Sequence, residues 1–348
     1  MFPGTSLLLI LLLQVGIYAV LGTQLYDLSH IINGPQVITA INRTQPIKLA
    51  ISPACTASNP VGFAEINTGV KLNATKTIVA FGDSWTSNGS NGTIPFAPVV
   101  FPPNPSAGAR FGNNERARAS NGYVWPEALG NILGAKVIDY AVGGAVVDLS
   151  VWNTTRNGPT FTSDNLLRVG FVDEVRLFLQ QGRFLSDLDP EETLYLVAFG
   201  INDRAQFLIG GGNWTAASDS YLTQLNLLID NGARNFLIHW LYFSDPNTNA
   251  FQDRIFTGLQ KIRTEREHHP GNKINFAAVN LAHLFGAVNS SMGVFGYNNY
   301  TCLASQNTTN FGCDDPDHSV FYIPGHPSAV THELLSEYSI DVVERCAV

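Results

Sequence analysis

An alternation constrains this chain more than any other feature. Five short, β-rich apolar runs, Thr77 to Phe81, Lys136 to Tyr140, Thr193 to Phe199, Asn235 to Trp240 and Asn275 to Val279, are separated by longer stretches of helical character. Parallel strands cannot be joined by a tight turn and need a crossover of a dozen or more residues, usually a helix. The rhythm therefore predicts an α/β fold, a five-stranded parallel sheet with helices on both faces. Helices are expected over Trp125 to Leu133, Leu166 to Gln180, Ala216 to Asp230, Ala250 to Glu267 and Ser328 to Val343. In the last of these, Leu334, Leu335, Tyr338 and Val342 fall near helical spacing, so one face can lie against the sheet. Segments 88–111 and 286–313 are rich in Gly, Pro and Asn and read as long loops, and Gly210-Gly211-Gly212 reads as a turn or flexible connection.

The two ends of the chain read differently. From Leu7 to Leu21 the sequence is apolar, interrupted by Gln14 and Gly16. That is short of the roughly 20 residues a bilayer span needs, and it fits a secretory signal peptide over residues 1–22, with Val20 and Gly22 at the small-residue cleavage positions. Residues 23–75 have no clean period and carry Pro35, Pro46, Pro53 and Pro60, so they are expected to form an extension packed on one domain of residues 76–348. Export agrees with nine Asn-x-Ser/Thr sequons, at Asn42, Asn73, Asn88, Asn91, Asn153, Asn213, Asn289, Asn299 and Asn307. It also agrees with four cysteines, Cys55, Cys302, Cys313 and Cys346, which admit three disulfide pairings. One pairing joins Cys302 to Cys313 across a short loop and leaves Cys55 to tie the N-terminal segment to Cys346. A net charge of −8 with only 20 Lys plus Arg excludes the basic footprint that nucleic-acid binding demands. After signal removal no stable membrane insertion is expected, and the mature protein is read as a secreted monomer.

In a doubly wound sheet, ligands bind beyond the carboxyl ends of the strands, so the loops after each strand are where chemistry is sought. The first strand runs into Gly82-Asp83-Ser84-Trp85, where a small hydroxyl residue follows a glycine turn, with a helix N-terminus expected beyond it. Asp and Ser are also the commonest helix caps. The second runs into Gly143-Gly144, whose backbone N–H groups suit either an oxyanion or a tight turn. The third runs into Gly200-Ile201-Asn202-Asp203, an amide donor or an Asx turn. Just before the last helix stands Pro324-Gly325-His326-Pro327-Ser328, whose imidazole can reach the same edge as a general base. No G-x-G-x-x-G follows either of the first two strands, so a dinucleotide has little support. The acids Asp314, Asp315 and Asp317 beside His318 lack recognised metal spacing. No cofactor and no metal is expected.

These four places, in this order, resemble the sequence blocks of the GDSL/SGNH hydrolases, over the chain from Thr77 to the C-terminal helix. Gly82-Asp83-Ser84 matches the nucleophile block, with Trp85 where Leu gave the family its name. Gly144 matches the second-block glycine, and Gly200-Ile201-Asn202-Asp203 the third block. Ser120-Asn121-Gly122-Tyr123-Val124-Trp125-Pro126 is similar to the run before the second strand in fungal and plant members. The resemblance implies a three-layer α/β/α, flavodoxin-like sandwich and hydrolysis of carboxylic esters through an acyl-enzyme. In that scheme Ser84 is the nucleophile, His326 its base, and the Ser84 and Gly144 N–H groups with the Asn202 amide form the oxyanion hole. The last block departs from the family's D-x-x-H-P, because Ile323 stands at the acid position. Asp315-Pro316-Asp317-His318 has the literal spacing but no Pro after its His, so His326 is preferred over His318. The group that orients His326 is left open among Asp315, Asp317 and a backbone carbonyl.

The Gly-His-Pro-Ser ending is similar to fungal acetyl esterases that act on carbohydrate, and the expected partner is an ester substrate, an acetylated carbohydrate in that subgroup. Two other readings remain. A lipase-like acyl hydrolase would show a deep apolar groove, whereas a polar cleft lined by Trp85, Trp214 or Trp240 would suit sugars. A secreted glycoprotein that binds carbohydrate without catalysis would keep the fold and lose the machinery, and Ile323 is its best support.

Overall fold

The computed structural model describes residues 31–32, 46–55, 64–89, 118–156, 169–180, 188–267, 273–305 and 312–348. The predicted signal segment 1–22, the sequons at Asn42, Asn91 and Asn307, and most of the predicted loop 88–111 lie outside them. The central sheet comprises β1 (Ile31–Ile32), β2 (Ile66–Asn67), β3 (Thr77–Gly82), β4 (Lys136–Asp139), β5 (Thr193–Ala198), β6 (Asn235–Trp240) and β7 (Asn275–Asn280), in the order β1-β4-β3-β5-β6-β7-β2. The five predicted runs are its parallel strands. The expected count of five is corrected to seven, because β1 and β2 pair antiparallel on β4 and β7 at the two edges. Strands two residues long are too short to show a period, and both come from the stretch expected to form the N-terminal extension.

Burial on both faces explains why β3, β5 and β6 read as unbroken apolar runs. Successive side chains point to opposite faces. Val79, Phe81, Tyr195, Val197, Phe236 and Ile238 join one buried cluster, and Ile78, Ala80, Leu194, Leu196 and Leu237 the other. The seven α-helices of the described residues are α1 (Trp125–Leu133), α2 (Phe171–Gln180), α3 (Ile201–Gly210), α4 (Trp214–Asp230), α5 (Pro246–Glu267), α6 (Leu281–Phe295) and α7 (Ala329–Arg345). The first cluster takes α2, α4 and α5 through Phe171, Phe178, Tyr221, Leu225, Phe251 and Leu259. The second takes α1, α6 and α7 through Trp125, Leu129, Leu284, Phe285, Leu334 and Tyr338. Each such fully buried side chain contributes about 1.5–3 kcal/mol.

Three helices depart from the sequence reading. α6 occupies the first part of the expected loop 286–313. Leu281, Leu284, Phe285 and Val288 are buried at helical spacing, a signal masked by Gly286, Gly293 and the Asn and Ser residues between them. α3 was not foreseen because its pattern is inverted: Asp203 and Gln206 are buried, while Leu208 and Ile209 are exposed. α2 begins at Phe171, directly after the parallel bridge of Gly170 to Val146, and positions 166–168 of the expected helix lie outside the described residues. The glycine run ends α3, with Gly211 at φ 73° as its cap and Gly212 bridged to Trp152.

A second, small sheet contains β8 (Asn299–Thr301), β9 (Ser319–Ile323) and β10 (His326–Pro327), in the order β10-β9-β8. The disulfides are Cys302–Cys313, beside this sheet, and Cys55–Cys346, which joins the N-terminal segment to the end of α7. Hydrogen bonds from Asn67 N–H to the Cys346 carbonyl and from Val348 N–H to the Asn67 carbonyl continue that junction beside β2.

Candidate active site

The three central loops of the site leave neighbouring strands, β4, β3 and β5, at their carboxyl ends. Gly82 closes β3 where a Cβ would stand 2.6 Å from Thr86 Oγ1 and 2.9 Å from the Ala198 carbonyl, so only glycine fits. Ser84, 7% exposed, sits in a tight turn in which the Asp83 carbonyl accepts from the Thr86 and Ser87 N–H groups. No helix follows it within the described residues up to Gly89, contrary to the sequence expectation. The Asp83 side chain accepts from the Trp85 N–H instead of capping a helix.

Ser84 Oγ lies 2.8 Å from His326 Nε2. His326 opens β10 after the two-residue turn Pro324-Gly325, where Gly325 takes φ 73°, the left-handed value that glycine tolerates. His326 Nδ1 lies 3.1 Å from the Pro324 carbonyl oxygen. A carbonyl can only accept, so Nδ1 carries the proton and Nε2 is left as the acceptor for the serine hydroxyl. Burial pushes the imidazole down to about 4, against a smaller opposite pull from the Pro324 carbonyl. At neutral pH the ring is therefore uncharged and able to take a proton.

Of the other orienting candidates, Asp315 accepts from His318 Nδ1 at 2.6 Å and Asp317 from the Asn121 amide at 3.3 Å. His318 is buried in its contact with Asp315, and the histidine brought to Ser84 is His326.

Gly144, at φ 82°, follows β4 in a turn closed by the Ala145 N–H on the Val142 carbonyl. Among the described residues the N–H groups of Ser84 and Gly144 donate to no protein acceptor. Asn202, in the first turn of α3, donates one amide hydrogen to the Ala145 carbonyl at 3.0 Å. That contact brings it against the Gly144 loop and leaves its second amide hydrogen for a ligand.

Sequence reasoning missed what holds these loops together. Both carboxylate oxygens of Glu174, on α2, accept from main-chain N–H groups, one from Gly82 at 3.0 Å and the other from Val142 at 3.1 Å. Asp139 accepts from Ala141 and Asn88, and Asp203 from the Val147 N–H and the Trp152 indole. Burial raises all four local carboxyls, Asp83 and Asp203 to about 7 and Asp139 and Glu174 well above the usual range. Among the described residues Asp83 Oδ2 has no hydrogen-bond partner, and Asp83 borders a cavity of about 20 Å³, room for about one water. Asp203 is visible in the third block. Glu174 is an ordinary helix acid in sequence, and nothing local marks it.

The tryptophans bear on the choice between a sugar cleft and a lipid groove. Trp85 and Trp240 are 4% and 3% exposed. Trp214 is packed edge-on against Trp152 and tilted against Phe251. Trp85 and Trp240 offer no open face to a sugar ring, and Trp214 is half-buried. Among the described residues no group of three His, Cys, Asp or Glu side chains is arranged to hold a metal ion, and no helix is long and apolar enough to cross a membrane.

A hydroxyl hydrogen-bonded to a neutral imidazole, set beyond the carboxyl edge of a mostly parallel sheet, defines the class of serine hydrolases with an α/β fold. The chain belongs to the GDSL-like lipase/acylhydrolase family, whose model matches residues 78–338. It is 21% identical over 246 residues to a thermolabile hemolysin of Vibrio parahaemolyticus, covering 64% of this chain and 55% of that protein. It is 26% identical over 200 residues to an acetylesterase of Hypocrea jecorina, covering 53% and 51%. The chain thus spans about half the length of these curated relatives. Among solved structures, a family two carbohydrate esterase from Cellvibrio japonicus aligns over 63% of this chain and 62% of its own at 13% identity, with a TM-score of 0.32. A phospholipase A1 from Streptomyces albidoflavus aligns over 76% and 98% at 12% identity, also with a TM-score of 0.32.

Proposed function

We propose that the protein is a secreted serine esterase that removes short acyl groups, acetyl above all, from carbohydrate through an acyl-enzyme. The observation that carries the catalytic part is the 2.8 Å contact of Ser84 Oγ with a His326 ring whose other nitrogen is held by the Pro324 carbonyl. His326 Nε2 takes the Ser84 proton as Oγ attacks the acyl carbon, and then gives it to the departing sugar oxygen as its bond to the acyl carbon breaks. The N–H groups of Ser84 and Gly144 and the free Asn202 amide hydrogen stabilise the oxyanion. Water then attacks the acyl-enzyme with His326 as base, which returns the serine. These roles make Ser84, Gly144, Asn202 and His326 the catalytic residues, with no cofactor or metal in any step. An intact nucleophile and base, with donors for the oxyanion, favour this over the non-catalytic reading.

Export is supported by the apolar leader of residues 1–22 and by two disulfides, which persist in oxidising compartments. In this reading residues 23–75 are an extension that lends edge strands to the hydrolase domain of residues 76–348, built as the family's three-layer, flavodoxin-like sandwich. The mature protein acts as a monomer. Glycans would attach at exposed sequons such as Asn73 and Asn289, but not at Asn88, which is fully buried. The acetyl preference rests on the Gly-His-Pro-Ser ending and the acetylesterase relative.

The test is hydrolysis of p-nitrophenyl esters from acetate to palmitate, and of acetylated xylo-oligosaccharides, by the purified secreted protein. Expected is a maximum at acetate and a fall of about ten-thousand-fold or more in Ser84→Ala and His326→Ala, with His318→Ala retaining activity once folded. A maximum at long chains would replace acetyl by the lipase-like reading. Equal rates for wild type and Ser84→Ala on every substrate would end the catalytic one.

A further inference from the structure

The chain departs from its family's pattern at two places far apart in sequence, Trp85 in place of Leu and Ile323 in place of the acid. The structure joins them. Ile323 is paired with His326 in the β9–β10 register and is buried with Ala119, Cys302, Leu303 and Tyr322. The Nδ1 proton of His326 meets the Pro324 carbonyl at 3.1 Å. A carbonyl on a two-residue turn is placed only as well as the turn itself. The next carbonyl in that turn, Gly325, accepts from the Trp85 indole Nε1–H at 2.9 Å, across 240 residues of sequence.

Trp85 is well fixed. It is 4% exposed, stacked on Tyr242 with ring centroids 4.6 Å apart, and tilted against Phe285 at 5.5 Å and Phe321 at 6.1 Å. Its main-chain N–H is held by Asp83 Oδ1 at 3.0 Å. Ser84 and Trp85 are covalent neighbours, and so are Gly325 and His326. The two pairs are bonded crosswise, Ser84 to His326 and Trp85 to Gly325. The four residues close a ring in which the distance between nucleophile and base is fixed at two points.

We infer that Trp85 is a positioning residue for the reaction, its indole N–H anchoring the Pro324-Gly325 turn so that a main-chain carbonyl can orient His326 where the family uses a side-chain acid. The inference rests on the esterase reading above. Leucine has no donor and would leave the Gly325 carbonyl without its indole partner, so Trp85 and Ile323 form one unit and not two independent changes.

The test compares wild type with Trp85→Phe, which keeps an aromatic ring in the pocket and removes the N–H donor, and with Trp85→Leu, which also loses packing. Active sites are counted by burst titration with a fluorophosphonate, so misfolded protein does not enter kcat. Expected for Trp85→Phe is a kcat per titrated site lower by about ten- to hundred-fold, the scale of a small misplacement of a catalytic group, with KM within about two-fold. ¹⁵N NMR of labelled histidine should show one His326 tautomer, with Nδ1 protonated, in wild type and a mixture in both variants. A Trp85→Phe protein with wild-type kcat per site and a single His326 tautomer overturns the inference, whatever its melting temperature. Should wild type hydrolyse no ester, the esterase reading fails first, and the tautomer measurement still decides whether Trp85 sets the His326 ring.

Discussion

The proposed nucleophile and the proposed base are carried by two regions of different construction. Ser84 stands at the end of a central strand with parallel neighbours on both sides, and the loops around it are bound by buried carboxylates that reach main-chain N–H groups from other elements. His326 stands on a strand two residues long, at the edge of a three-stranded sheet, beyond a Pro-Gly turn. One side is held many times over and the other by a few contacts. Damage to the nucleophile side should therefore appear as lost stability, and damage to the base side as lost turnover in a protein that remains folded.

The largest expected effect is on the nucleophile side. Glu174→Ala removes the carboxylate acceptor of the buried Gly82 N–H and leaves the Val142 N–H with the Gly82 carbonyl as its acceptor, and should cost about 2–3 kcal/mol, seen as a lower midpoint in urea unfolding. Glu174→Gln keeps one good acceptor and should lose less than half of that. If Glu174→Ala unfolds at the wild-type midpoint, the carboxylate is not what binds these strand ends.

A smaller effect, of the opposite kind, is expected at Gly325. Among the described residues nothing lies within 4 Å of a Cβ built there, so Gly325→Ala meets the backbone strain of φ 73°, about 1–2 kcal/mol. The turn should relieve it by shifting, which lowers kcat several-fold while the unfolding midpoint moves little. A large stability loss with unchanged kcat per site would contradict the division drawn between the two regions.

The smallest effect concerns pH. A base must be unprotonated to act, and burial holds His326 at about 4, so kcat/KM should change little from pH 8 to 5 and fall as pH drops through about 4. The stability term has the same sign. The unfolded imidazole titrates near 6.5, so the neutral-ring contribution of His326 is complete above that value and is lost as pH falls from there to 4. The raised Asp83 and Asp203 act oppositely, favouring the fold below the ordinary carboxylate range and losing that contribution as pH rises through about 7. A kinetic limb near 6.5 would show that the His326 ring is solvated during turnover.

The two regions also differ in how far they could be read from sequence. Each parallel strand is buried on both faces, which leaves an unbroken apolar run, and the residues after it carry the block pattern in a few consecutive positions. Ser84, Gly144 and Asn202 were therefore named in the order in which the strands present them. His326 is legible from its neighbours Pro327 and Ser328, but its orienting partner is not, since a main-chain carbonyl has no letter in a sequence. Glu174 and Trp85 act on residues 92 and 240 positions away, and no local pattern encodes such a distance. The helices that escaped notice did so for local reasons, Gly286 and Gly293 in α6 and two exposed aliphatic residues in α3.

The Cys55–Cys346 bridge has a consequence that belongs to topology. With 291 positions between its ends, it turns nearly the whole hydrolase domain into a covalent ring closed beside β2 and α7. One cut by an external protease between those cysteines opens the ring and releases no piece. A nicked molecule would keep its full mass on a gel until a reductant was added, and its two new ends would remain parts of one molecule, free to rejoin the same sheet.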